Sequence, residues 1–175
     1  MNTFIRIIII FVVLFLNSCG KDKDKVSVIK EESIELQMID AYKEGLKSFN
    51  EGDVLFAAKK FNEAELLYPQ SEWAPKSALM AAYSYYSQDY YGDAIYELER
   101  FIKTYTYDKR VDYAHFLLAM CYYEKIVDEK KDLEPLLKAR EKFNFIIKTY
   151  PETDFALDAQ FKLNLIHDIL ASKEM

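Results

Sequence analysis

Ala57-Ala58-Lys59-Lys60-Phe61-Asn62-Glu63-Ala64-Glu65-Leu66-Leu67-Tyr68-Pro69 comes back further along the chain, and that return decides the fold. Its skeleton, Ala57-x3-Phe61-x6-Tyr68-Pro69, recurs as Ala139-x3-Phe143-x6-Tyr150-Pro151. A weaker copy, Ala94-x3-Leu98-x6-Tyr105-Thr106, stands between them. The segments that follow also match, with Pro69-Gln70-Ser71-Glu72-Trp73-Ala74 set against Pro151-Glu152-Thr153-Asp154-Phe155-Ala156. Successive copies begin 37 and 45 residues apart.

Working outward, each copy is preceded by a second helical stripe. Ile34, Met38, Tyr42, Leu46 and Phe49 recur every three or four residues, one face of a helix, and Asn50-Glu51-Gly52-Asp53 interrupts it. A helical hairpin of about 34 residues carrying Ala, Phe and Pro at these places is the tetratricopeptide pattern. Gly45, Ala82 and Ala119 fall where the first helix of a hairpin crosses the second, and Ala57, Ala94 and Ala139 supply the facing small surface. Phe61, Leu98 and Phe143 fill the space beside the crossing, while Pro69 and Pro151 stop the second helix. Thr106 replaces the proline in the middle unit, which predicts a softer boundary there. The expected fold is all-α, a tetratricopeptide-repeat superhelix (an α-solenoid of stacked hairpins) over residues 34–175, with units at about 38–71, 75–108 and 112–153 and a partial fourth at 155–175. The longer second spacing implies an insertion of about eight residues around Val127 to Pro135, as a longer helix or a projecting loop. Phe155, Ala159, Leu163, Ile166, Ile169 and Leu170 make the stripe of the last helix, which is either a cap or, as we favour, the first half of a hairpin in a longer protein.

The other end has a different character. Ile7 to Leu16 is a run of ten uncharged apolar residues behind one Arg, closed by Leu16-Asn17-Ser18-Cys19-Gly20. Ten is short of the ~20 residues a spanning helix needs, and matches a secretory leader. Residues 1–18 are expected to be a lipoprotein signal peptide and 19–33 a flexible tether beginning at a lipidated Cys19, with Lys21-Asp22-Lys23-Asp24-Lys25 fully polar. The net charge of −6, with acids spread along the chain, argues against nucleic acid as a partner. With Cys19 acylated, Cys121 has no intrachain mate, and its apolar surroundings mark it as a buried small hydrophobe.

No catalytic constellation is legible. His115 and His167 are isolated, no metal-ligand spacing occurs, and no cofactor is expected beyond the covalent lipid on Cys19. The 14 Tyr and 12 Phe are the better candidates. In the repeat register Tyr42, Phe49, Leu79, Tyr83, Tyr86, Phe116, Met120 and Tyr123 face the concave side, part core and part binding surface. Tyrosine offers apolar area plus a hydroxyl, which suits an extended peptide with free backbone groups.

Trp73-Ala74-x3-Ala78-Leu79-Met80-Ala81-Ala82-Tyr83, Asp89-Tyr90-x3-Ala94-Ile95, Asp112-Tyr113-Ala114, Cys121-Tyr122-Tyr123-Glu124 and Tyr150-Pro151-Glu152-Thr153, together with the lipid signal and the insertion, resemble the BamD family. BamD is the lipoprotein subunit of the bacterial outer-membrane β-barrel assembly machine, and the likeness is greatest to its alphaproteobacterial members. The resemblance implies a non-enzymatic scaffold held in the outer membrane by its lipid and facing the periplasm. Its implied partners are a BamA-type barrel subunit, accessory lipoproteins and unfolded outer-membrane proteins. Two departures stand out: the family's glycine-arginine-tyrosine segment would follow Met175, and its acidic-glycine-arginine stretch is replaced here by Asp128-Glu129-Lys130-Lys131. The alternative reading is a periplasmic repeat adaptor that tethers a cell-wall enzyme.

Overall fold

A computed structural model describes residues 33–125 and 132–174. The expected signal peptide, Cys19 and the expected tether up to residue 32, residues 126–131 and Met175 lie outside the described residues. Within them the chain forms seven α-helices and no strand: α1 Ile34–Asn50, α2 Val54–Leu67, α3 Trp73–Tyr86, α4 Tyr91–Thr104, α5 Val111–Glu124, α6 Glu134–Thr149 and α7 Asp154–Glu174. Each helix packs on its neighbours in the chain, and α5 also touches α7. The result is three stacked hairpins, α1–α2, α3–α4 and α5–α6, followed by α7.

Local chemistry sets the helix limits. Ser33 and Asp53 cap α1 and α2, their side-chain oxygens accepting the amides of Leu36 and Phe56. Gly52 lies at φ +85°, the left-handed conformation that lets the chain reverse after α1. Pro69 and Pro151 stand two residues beyond α2 and α6, where they cannot prolong them. The turns between hairpins share one device. Ser71 and Thr153 donate to the carbonyls of Tyr68 and Tyr150 and accept from the amides of Ala74 and Ala156. Asp108 holds the matching place before α5, accepting from the amide of Arg110 at 2.9 Å. Thr106, in the proline's position, turns its hydroxyl back to the carbonyls of Ile102 and Lys103, so this boundary has hydrogen bonds of its own.

Burial follows the repeat. Ala57, Ala94, Ala139, Phe61, Leu98 and Phe143 are all fully buried. In the first hairpin Phe61 lies against Gly45, and in the third Ala119 and Phe143 share one buried cluster, with Phe143 beside Phe116 and Tyr123. Between hairpins one and two the contact is partly polar. Arg100 donates to both carboxylate oxygens of Glu65, at 2.8 and 2.7 Å, and to Glu97 at 2.9 Å. The Tyr105 hydroxyl donates to Glu65 at 2.7 Å. Glu65 is almost wholly buried, and such a charge is tolerable only with this pairing complete. Ser77 is different: its buried hydroxyl has no hydrogen-bond partner among the described residues, where the register places Ala114 and Ala159 in the later hairpins.

The two ends of the stack differ. The α1 positions equivalent to buried Ser77, Ala81 and Ser84 of α3 are Asp40, Glu44 and Lys47, a polar, exposed face. On α7, Leu157 and Phe161 occupy the register of Met38 and Tyr42 yet are 71% and 63% exposed.

A methyl group at Gly45 would lie 2.9 Å from Phe61 Cδ1 and Cε1, and that ring is enclosed on every side. Alanine would contribute about 1 kcal/mol of helix propensity, while overpacking costs about 1–3 kcal/mol. Gly45→Ala is therefore expected to lower the unfolding free energy in urea by about 1 kcal/mol; a gain in stability would show that the ring can retreat.

Candidate functional site

The face built from the first helices of the hairpins carries an aromatic ladder. Phe49 of α1 meets Tyr83 of α3 at 5.8 Å between ring centroids, and Tyr83 meets Tyr86 at 6.2 Å. Tyr113 of α5 meets Phe155 of α7 at 5.4 Å, and Phe155 stacks on Phe116 at 5.3 Å. Between the Tyr83 and Tyr113 ends of this ladder opens a cavity of about 540 Å³, lined by Leu79, Met80, Tyr83, Tyr113 and Phe155 with Lys76, Lys109, Arg110 and Asp112 at its edge. Three hairpin levels contribute: α3, the turn and first residues of α5, and the start of α7. The walls are apolar and half-buried, and the Tyr113 hydroxyl, pushed up to about 12 by burial, stays protonated and able to donate.

A second cavity of about 520 Å³ adjoins it, lined by Glu72, Trp73, Pro75, Lys76, Tyr107, Asp108, Lys109 and Arg110. Lys76, Lys109 and Arg110 belong to both cavities and mark their junction. Arg110 is already engaged: its guanidinium grips Asp108 at 2.7 and 2.8 Å, and this holds the Asp108 carboxyl below its ordinary range. The Lys76 ammonium lies over Trp73 and Tyr42, 4.6 and 5.0 Å from the ring centres. Neither Lys76 nor Lys109 has an ion pair among the described residues.

Of the eight residues read from the register, the structure brings only Leu79 and Tyr83 to the cavity. Tyr42 falls on the core side of the division between core and binding surface. It is 5% exposed, clamped between Phe61 and Trp73, because α2 and α3 both close on that turn of α1. Leu79 is also core, 7% exposed, and offers only an edge to the cavity wall. Phe49 and Tyr86 are half-buried rungs beside Tyr83. Phe116, Met120 and Tyr123 pack against the third hairpin's core, with Lys162 set 4.4 Å over the Tyr123 ring. Met80, Tyr113, Phe155 and the three basic residues were missed. A signal existed for two of them: Tyr113 is the register equivalent of Lys76 and stands in the Asp112-Tyr113-Ala114 run, and Phe155 matches Trp73 but counts in the sequence only toward the repeat and the last helix's stripe.

A model of the YfiO family, described as outer membrane lipoprotein, matches residues 34–175. The chain belongs to that family. Among its YfiO relatives, the outer membrane protein assembly factor BamD of Caulobacter vibrioides is 35% identical over 156 residues, 89% of this chain and 50% of the relative. BamD of Rickettsia prowazekii is 29% identical over 162 residues, 93% of this chain and 62% of the relative. The chain thus spans about half to three-fifths of the length of these YfiO relatives. In structure, this YfiO chain is similar to the first TPR domain of Spaghetti (RPAP3), bound in that structure to an HSP90 peptide (TM-score 0.56, 14% identity, 78% of this chain and 95% of the other). It is also similar to the C-terminal TPR-containing domain of a Plasmodium falciparum FK506-binding protein (TM-score 0.53, 18% identity, 81% and 93%). The fold is therefore the all-α tetratricopeptide-repeat fold. Among the described residues no helix is long and apolar enough to cross a membrane, and no cluster of three or more His, Cys, Asp or Glu could hold a metal ion.

The remaining titratable groups lie away from the groove. Cys121 is fully buried and its thiol is pushed up to about 12 by burial, which suppresses the nucleophilic thiolate. His115 is half-buried against Phe145 and Tyr150. Burial lowers its basicity, Lys142 acts the same way, and Asp112 opposes. Folding thus favours the neutral imidazole. Its contribution is intact above the ordinary histidine range and is lost as pH falls through about 6.5 and below. His115→Phe should reduce the drop in thermal midpoint between about pH 7 and about pH 5 relative to the parent; an unchanged drop would assign the acid sensitivity to carboxylates.

Proposed function

We propose that this chain is a lipid-anchored periplasmic scaffold of outer-membrane β-barrel assembly, working by docking partner subunits and gripping unfolded barrel precursors. Membership of the YfiO family and likeness to two BamD proteins named as assembly factors support the assembly role. The observation that carries the gripping role is the apolar cavity spanning α3, α5 and α7, with Tyr83, Tyr113 and Phe155 around it. The last strand of an unfolded barrel alternates apolar side chains along an unpaired backbone edge. That edge aggregates unless covered, and aromatic walls with phenol hydroxyls suit both features. The role is non-enzymatic and needs no cofactor. A BamA-type subunit and accessory lipoproteins would be the docking partners, and nucleic acid is not among them.

The anchor would be Cys19. Acyl chains each contribute about 0.8 kcal/mol per buried methylene, and two or more hold a protein stably on a bilayer. Labelled palmitate is expected to enter the wild-type chain and to be absent from Cys19→Ala; equal labelling would remove the anchor.

For the groove, Tyr83→Ala combined with Tyr113→Ala should weaken binding of an aromatic-ended barrel peptide by more than about tenfold, the equivalent of ~1.4 kcal/mol. Undiminished affinity, with helicity and thermal midpoint intact, would place the precursor elsewhere.

A further inference from the structure

Consecutive helices are joined by short turns and pack as antiparallel neighbours, so the α2–α3, α4–α5 and α6–α7 turns all lie on one edge of the stack. The start of α1 lies on that edge too, and the α1–α2 and α3–α4 turns lie on the opposite one. In register the three turns read Gln70-Ser71-Glu72, Tyr107-Asp108-Lys109 and Glu152-Thr153-Asp154. The central residues have a structural use, since Ser71, Asp108 and Thr153 make the hydrogen bonds of their turns. The flanking residues separate the middle turn from the other two. Those present Glu72, or Glu152 and Asp154, to solvent; the middle turn presents a tyrosine and a lysine. Tyr107 is 100% exposed, and its side chain makes no ring contact or hydrogen bond among the described residues, so the fold has no use for it. Lys109 is exposed, as is Lys103 in the last turn of α4, and neither has an ion pair among the described residues. The turn's one carboxylate, Asp108, is held by Arg110 at 2.7 and 2.8 Å. What projects is an aromatic ring between two free ammonium groups, on a chain whose net charge is −6.

We infer that this turn rests on an anionic lipid surface, with the Tyr107 ring at headgroup depth and Lys103 and Lys109 against lipid phosphates. Tyrosine is at home at a membrane–water interface because its ring is apolar and its hydroxyl stays wet, and lysines beside it are drawn to negative headgroups. A protein partner needs a broad complementary patch, whereas this tip is one ring on a short turn. A lipid surface makes no such demand. The acidic turns on either side are repelled by the same surface, which confines the contact to the middle turn. The inference rests on the anchor reading for attachment, since an acylated Cys19 is joined through α1 to this edge, and goes beyond it by naming which edge of the stack meets the membrane.

Trp73 is the chain's only tryptophan and Phe holds its register position at Phe155, so Trp73→Phe gives a background without tryptophan emission. In it, Tyr107→Trp places a reporter on the turn and Gln88→Trp places one on the opposite edge, both at exposed positions. Should Trp73→Phe lower helicity, Trp73 is kept and each reporter is read against the parent's emission. The full chain, purified from membranes in detergent, is reconstituted into vesicles of phosphatidylethanolamine and phosphatidylglycerol brominated near the headgroup end of their acyl chains. The Tyr107→Trp reporter is expected to lose most of its emission, while the Gln88→Trp reporter keeps it. Adding Lys103→Gln/Lys109→Gln, replacing phosphatidylglycerol with phosphatidylcholine, or raising the salt should each restore most of the lost emission. Equal quenching on the two edges, no quenching at the turn in chains that float with the vesicles, or quenching that survives removal of both the lysines and the anionic lipid would each overturn the inference while leaving the anchor in place. Chains that do not float with the vesicles would overturn the anchor reading, and this inference with it.

Discussion

The close approach of two helices over a residue with little or no side chain is the constraint on which everything else depends. Gly45 lets Phe61 lie directly on the backbone of α1, and in the third hairpin Ala119 and Phe143 are buried in one cluster. Once the crossing is that tight, each hairpin becomes a thin rigid plate with apolar faces front and back. A single plate cannot cover both faces, so stacking follows. The first and second plates also meet through a polar cluster, Arg100 with Glu65, Glu97 and Asn62, and Tyr105 with Glu65, whose members must be satisfied together.

Stacking is also what creates the candidate site. The aromatic residues of the first helices are too large to be absorbed wholly into the contacts between neighbouring plates, and what is left over lines the inner face. Phe49 reaches Tyr83, and Tyr113 reaches Phe155 and through it Phe116, so the rungs support one another across hairpins. A gap remains where α3, α5 and α7 converge. The turn before α5 supplies Lys109 and Arg110 to its edge, where Asp108 accepts both the amide and the guanidinium of Arg110. The proposed grip on polypeptides rests on this apolar cleft with charge at one end.

Much of this was legible in the residue string. Helices, turns and the packing of Ala57, Phe61, Ala139 and Phe143 follow from periodicity and spacing, since a 3.6-residue stripe with small residues at fixed offsets has few other stable uses. The site was legible only in outline. Register assigned Tyr42 and Tyr83 to one class, but Tyr42 is sealed by Phe61 and Trp73 whereas Tyr83 faces the cavity. Trp73 opens α3 and folds back over Tyr42, whereas Tyr83 sits one helical turn further along the register, beside Phe49 and Tyr86.

By itself, then, the amino-acid order determined the all-α repeat, the hairpin crossings, the burial of Cys121 and the likeness to BamD, because each depends on residues a few positions apart or on one repeating offset. The tertiary structure alone decided which aromatics are core and which line a cleft, and that Lys76, Lys109, Tyr113 and Phe155 belong to one site. Those residues come from three different hairpin levels, and their meeting depends on how successive plates rotate against each other, a quantity summed over every buried contact and written in no single stretch of the chain.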